Sequence, residues 1–180
     1  MGERLSRHNR RGLIVEGKHD LIAYVHLLKK IGYVGKIRQT RGNGNLIKKI
    51  NAWVRLVKQY ECPKILALKD LNSRKIEDLL EECSHFPEDV TLVVAVRTLE
   101  AWMLADEEAL KKQFRNPRVG SISNPEQIEK PEDMLRTIYK EHGKKYIARK
   151  ELPKIIEDID LDVLRKKCPS FKVFEEALDS

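Results

Sequence analysis

Short apolar runs recur along the first part of the chain, and each is followed by a stretch in which apolar residues return every three or four positions. That order of run and stripe predicts strands alternating with helices, the signature of an α/β sheet with parallel strands. The first run, Leu13-Ile14-Val15, ends on Glu16 and Gly17, and Leu21, Tyr24, Val25, Leu28 and Ile31 then form one stripe of a helix over residues 20–31, stopped by Gly32. Residues 34–40 read as a second strand, weaker and more polar, suited to a place near the sheet edge. The turn Arg41-Gly42-Asn43-Gly44-Asn45 opens directly into a long helix whose buried face carries Leu46, Ile50, Trp53, Val54 and Val57. A third strand spans residues 63–68, and the helix after it has Ile76, Leu79 and Leu80 as its apolar face. Residues 90–96 are the most strand-like run, and their near-continuous apolar character suits cover on both faces. A helix beginning near Thr98 would put Asp106 on the same stripe as Leu99, Trp102 and Leu110.

Beyond Gln113 the rhythm changes. Residues 114–130 have loop composition with scattered basic residues, and short helices follow over 131–142, 150–159 and 161–167 and from Ser170 onward. Pro153 is expected in the first turn of its helix, where proline is tolerated. Lys140, Lys144, Lys145, Arg149 and Lys150 crowd around Tyr146, a charge run that reads more simply as a solvated face than as a groove. The expectation is a single domain, with a core over residues 11–113 and a helical extension over 114–180.

Composition narrows the function classes. The 180 residues carry 35 Lys and Arg against 28 Asp and Glu, a net charge of +7, which makes an anionic partner such as nucleic acid plausible and is also compatible with a merely solvated basic surface. Arg4, Arg7, Arg10 and Arg11 crowd the amino terminus, which reads either as a frayed tail or as an arm that touches phosphates. Cys62, Cys83 and Cys168 are scattered without metal-ligand spacing, so they are expected as reduced, buried or free thiols. No apolar run approaches a membrane span or a signal peptide, and a soluble, cytoplasmic protein is the expectation.

The candidate chemistry is acidic. Glu16, Asp70 and Glu100 each follow a different predicted strand, and Asp20 lies close to the first, so all four belong to the carboxyl edge of the sheet, where α/β folds place ligands. Oxygen-only donors of this kind suit Mg²⁺ or Mn²⁺. A divalent ion there would attract a phosphodiester, with Glu16 as general acid or base. Asp106 is better explained by a structural hydrogen bond than by ligation; Glu100, nearer the strand end, fits ligation. Arg41, Gly42 and Gly44 form a turn that can hold an anion at a helix amino terminus, and Lys69 beside Asp70 joins them as a candidate phosphate contact. The alternative for the acids, and for Asn72 and Ser73, is that they are turn and cap residues.

Glu16-Gly17-x-x-Asp20 after a strand, the glycine-containing turn after the second strand, and Asp70-Leu71-Asn72 resemble the Toprim domain of topoisomerases, primases and overcoming-lysogenisation-defect (OLD) nucleases. The run from Leu99-Glu100-Ala101-Trp102 to Asp106, Tyr146-x-x-x-Lys150 and Lys167-Cys168-Pro169-Ser170-Phe171 look like the Toprim-like proteins grouped as domain of unknown function family 4276, over nearly the whole chain. The resemblance implies a Toprim-like, Rossmann-like core of about four mostly parallel strands flanked by helices, with a Mg²⁺ site. It also implies Glu16 as catalytic glutamate and Asp70 as first acid of an Asp-x-Asp pair, in mobile-element and phage-defence settings. Asn72 stands where the second aspartate of that pair would be, so Asn72 could ligate only through a neutral carbonyl.

Two functions follow as expectations. One is a metal-dependent nuclease acting on DNA or RNA through Glu16, Asp70 and Glu100. The other, motivated by Asn72 and by the lack of an ATPase region in this chain, is a non-catalytic Toprim-like subunit that binds nucleic acid or a partner protein such as an ATPase.

Overall fold

The computed structural model describes residues 10–42, 44–62 and 64–180; Arg4 and Arg7 of the amino-terminal arm, Asn43 and Pro63 lie outside them. Four strands, β1 (Arg10–Val15), β2 (Val34–Gln39), β3 (Lys64–Asp70) and β4 (Val90–Ala95), form one sheet in the order β2-β1-β3-β4. Every pairing is parallel, so the α/β reading holds and all four carboxyl ends share one edge. β2 is an edge strand, as its polar character predicts. β4 is the opposite edge, yet both its faces are covered, Val93 and Ala95 joining one apolar cluster while Leu92 and Val94 pack on the other.

The same alternation runs through the sheet and makes three layers. Ile14, Ile65 and Ala67 face α2 (Asn45–Lys48), α3 (Ile50–Lys58) and α4 (Ile76–Glu82). α3 lies so close to β1 that a Cβ on Gly12 would meet Val57 Cγ1 at 2.2 Å, which is why that strand position carries no side chain. Leu13, Val15, Leu66 and Leu68 face α1 (Lys18–Ile31), α5 (Leu99–Leu104), α6 (Glu107–Lys111) and the later helices α7 (Pro131–Glu141), α8 (Ala148–Asp158), α9 (Leu161–Lys167) and α10 (Pro169–Asp179). Among the described residues no helix is long and apolar enough to cross a membrane.

Several helices differ from their sequence expectation. α1 starts at Lys18, with Asp20 in its first turn; it buries Leu27 and leaves Val25 exposed, and it ends on Gly32 at φ 94° as expected. The expected long helix after residue 45 is two pieces, broken at Lys49 (φ −120°). Leu80 is exposed rather than part of an apolar face. The helix from Leu99 stops at Ala105, and Asp106 caps α6, accepting from the Glu108 and Ala109 amides at 3.1 Å each and from the Asp160 amide at 2.7 Å. Asp106 thus satisfies its burial by hydrogen bonding. Pro153 sits inside α8, which begins at Ala148. Tyr146 is buried against Tyr139 instead of standing among surface cations. The three cysteines are free and buried, and burial pushes the Cys168 thiol up to about 12.

The helices after residue 113 are part of the main core. Trp102, fully buried, packs against Tyr24, Phe171 and Phe174 at centroid distances of 6.1, 5.3 and 5.7 Å. Its indole N–H donates to Ser170 Oγ at 2.9 Å, Ser170 also accepts from the Val96 amide at 3.2 Å, and its hydroxyl donates to Glu126. Arg11 of β1 donates to the Leu178 carbonyl of α10.

Candidate functional site

Parallel strands deliver their last residues to one edge, and the acids arrive there on separate elements. Glu16 follows β1 directly; Gly17 is the N-cap of α1, and its amide donates to Asp20 Oδ2 at 2.8 Å, which fixes Asp20 against the turn. Asp70 is the last residue of β3, in register with Ala95 of β4. Glu100 occupies the first turn of α5, where the positive end of the helix favours an acid.

These four carboxylates feel one another. Burial, and then the charges of Asp20, Glu100 and Glu16, push the Asp70 carboxyl well above its ordinary range. Burial also pushes Glu100 up, with Glu132 of α7 and Asp20 adding to it. The Tyr24 phenol is raised by burial and by Asp70, Asp20 and Glu100, and the Tyr146 phenol by burial and by Glu100 and Glu132, so Glu100 acts on both rings. Tyr146 is 2% exposed and its hydroxyl has no hydrogen-bond partner among the described residues.

One cation enters this group. Lys69, 3% exposed at its side chain, pairs with Glu16, 14% exposed. Lys69 therefore points into the protein, its ammonium committed to Glu16, instead of facing a phosphate. Asn72 does not join the acids as arranged: it is an exposed turn residue at φ 54°, and its side-chain amide donates to the Asp70 carbonyl at 3.3 Å. Its backbone clamps the loops after β3 and β4 together, the amide donating to the Arg97 carbonyl at 2.6 Å and the carbonyl accepting from Arg97 Nη1 at 3.3 Å.

The glycine turn after β2 is packed against the first strand's exit. Gly42 donates its amide to the Glu16 carbonyl at 3.3 Å, Gly44 caps a helix of only four residues, and Arg41 is exposed at φ 57°. So short a helix aligns few peptide dipoles, and Arg41 is the charged residue of the turn.

The donor set is all carboxylate and mutually repulsive, which is the charge that a hard divalent cation neutralises. The distances are not those of a finished metal site: among the described residues, no three His, Cys, Asp or Glu side chains stand close enough to hold an ion. Glu16 is drawn to Lys69 and Asp20 to the Gly17 amide, so ligation requires side-chain rotation. A cleft of about 630 Å³ lies elsewhere, between the Phe114–Arg118 loop and His142, and includes none of the four acids.

A family model described as Domain of unknown function (DUF4276) matches residues 23–179. The chain belongs to the DUF4276 family. The matched span of this DUF4276 chain contains Asp70, Asn72, Glu100 and Tyr146, while Glu16 and Asp20 precede it. No curated protein and no solved structure matches it.

Sequence reasoning named Tyr24 and Tyr146 but did not set them beside the acids, and it did not single out Glu132. Tyr24 sits on an apolar stripe and Tyr146 within a basic run, so both carry stronger structural signals than functional ones. Glu132, one residue after the helix-opening Pro131, is indistinguishable from a first-turn acid.

Proposed function

We propose that this DUF4276 chain acts on phosphodiesters with Mg²⁺ or Mn²⁺, as a Toprim-like nuclease or phosphoryl-transfer subunit. The observation that carries the reading is the gathering of Glu16, Asp20 and Glu100 around Asp70 from the ends of β1, α1 and α5, where burial first and then those three charges raise the Asp70 carboxyl. Such a concentration of carboxylates at the carboxyl edge of a parallel sheet costs stability and is characteristic of sites that bind a cation. Asp70, Asp20 and Glu100 are the residues that would hold it. When bound, the ion supplies charge neutralisation at a phosphate and lowers the pKa of a coordinated water.

The remaining roles belong to the chain's own side chains. Glu16, paired with Lys69, would be the group that moves a proton at the sheet edge. Tyr24 and Tyr146, whose phenols are held protonated by burial and neighbouring acids, can donate hydrogen bonds but cannot serve as bases. The test is incubation of the purified chain with single- and double-stranded DNA and RNA in Mg²⁺ or Mn²⁺. Cleavage is expected and should disappear in Glu16→Gln and Asp70→Asn; cleavage that survives both substitutions refutes the assignment.

A second reading has an observation of its own. The Glu16–Lys69 pair and the loop clamp at Asn72 leave no three-ligand group assembled among the described residues. That favours a non-catalytic Toprim-like subunit, for which nucleic-acid binding would be salt-sensitive and indifferent to metal, and the substrate would stay intact.

A further inference from the structure

On the open side of the edge strand β2, a cleft of about 580 Å³ runs between the strand's carboxyl end and α3. Its charged lining is all of one sign: Arg38, Arg41 and Lys49 border it and, among the described residues, no acidic side chain does. None of the three cations is in an ion pair among the described residues. Trp53 lines the cleft, partly buried, and its indole N–H meets no acceptor among the described residues, so packing alone holds the ring. Just outside, Tyr60 is 38% exposed, with Lys36 Nζ 4.2 Å and the Arg38 guanidinium carbon 5.0 Å from its ring centroid. Basic and aromatic side chains therefore alternate along this edge.

The carboxyl end of the cleft is tied to the exit of β1. Thr40, which lines it, is 2% exposed; its amide donates to the Val15 carbonyl at 2.9 Å and its hydroxyl to the Glu16 carbonyl at 3.4 Å. The end of the basic cleft is thus hydrogen-bonded to the backbone from which Glu16 projects.

We propose that the β2 cleft binds single-stranded nucleic acid, with Trp53 stacking on a base and Arg38, Arg41 and Lys49 holding the flanking phosphates. Recessed aromatic faces serve unstacked bases, because a duplex keeps its base faces within its own stack. The inference rests on the phosphodiester reading of the acidic site and adds the class of substrate to it.

The experiment is fluorescence anisotropy of the full chain in EDTA with labelled oligo(dT) of about twenty nucleotides, long enough to cover one such site, and with the matched duplex. The single strand is expected to bind more tightly than the duplex and to quench tryptophan emission. Trp102 is fully buried, so the quench reports Trp53 and should be lost in Trp53→Phe. Trp53→Ala should weaken binding about tenfold. Arg41 and Lys49 are exposed, so the Arg41→Ala/Lys49→Ala double variant leaves the core untouched. It should flatten the dependence of log affinity on log salt by about 1.4, at roughly 0.7 for each phosphate no longer neutralised. An unchanged salt slope in that variant, or equal affinity for the duplex, overturns the proposal. If metal-dependent cleavage persists in such a case, only the cleft assignment falls. If strand binding in EDTA follows the cleft residues and no metal elicits cleavage, the cleft stands and the phosphodiester-acting assignment falls.

Discussion

Replacing Lys69 by Met tests the electrostatics of the acidic edge most directly. The substitution keeps the length and apolar stem of the side chain while deleting a buried positive charge from a site where Asp70 already feels three other acids. An exposed ion pair would be worth about 0–1 kcal/mol. Here the partners are only 3% and 14% exposed, and breaking a buried pair costs about 3–5 kcal/mol. Because Glu16 keeps some contact with water, the lower end applies, a loss of about 3 kcal/mol at pH 7. For a chain of this size that corresponds to a fall in Tm of about 6–12 °C. Urea titration and thermal melts followed by circular dichroism measure both. The loss should shrink as pH falls and the crowded carboxyls take up protons. Mg²⁺ should restore part of it, since a ligand at about a hundred times its Kd stabilises by about 2.7 kcal/mol. A loss under about 1 kcal/mol at pH 7 would refute the buried pair. Full loss without any response to Mg²⁺ would separate the acids from metal binding.

The remaining predictions concern the same site and its supports. Asp70 holds its proton more tightly folded than unfolded, so wild-type stability should fall as pH rises from the ordinary 3.8 towards the displaced value and stay lower above it. Asp70→Asn cannot ionise; it should be more stable than wild type at pH 7 by on the order of 1 kcal/mol, with the two converging in acid, and an Asp70→Asn chain less stable at pH 7 contradicts the crowding. Ser170→Ala removes the acceptor of the Trp102 indole and the Val96 amide in a buried setting and should cost about 2–3 kcal/mol by urea unfolding. Asp106→Ala strips the cap of α6 and the partner of the Asp160 amide, for a similar loss, while Asp106→Asn should retain most of the stability.

The order of strands and helices was legible because each strand is a compact apolar run and each helix a stripe. What the pattern hides is where a stripe is interrupted. Leu46, Ile50 and Trp53 stay in helical phase across the break at Lys49, and Leu99, Trp102 and Leu110 across the break at Ala105, because both pieces face the same core. Asp106 followed by Glu107 and Glu108 was the available cap signal, masked by that phase. Pro153 suggests a helix start, but buried Ala148 and Leu152 begin the helix earlier. At the site, Glu16, Asp70 and Glu100 could be placed at one edge because each follows a strand. That Lys69 turns towards Glu16 depends on side-chain direction at a strand end, which composition does not encode. Tyr24 of α1, Glu132 of α7 and Tyr146 ahead of α8 reach the acids only through tertiary packing.

The hydrogen bond from Arg11 to the Leu178 carbonyl joins the first strand to α10, and Phe171 and Phe174 of that helix pack on Trp102 of α5. During synthesis, therefore, the aromatic cluster around Trp102 stays incomplete until α10, the last of these helices, has been made. A nascent chain stalled before that point would lack Phe171 and Phe174 against Trp102, and Phe174 against Tyr24, leaving both rings short of packing partners.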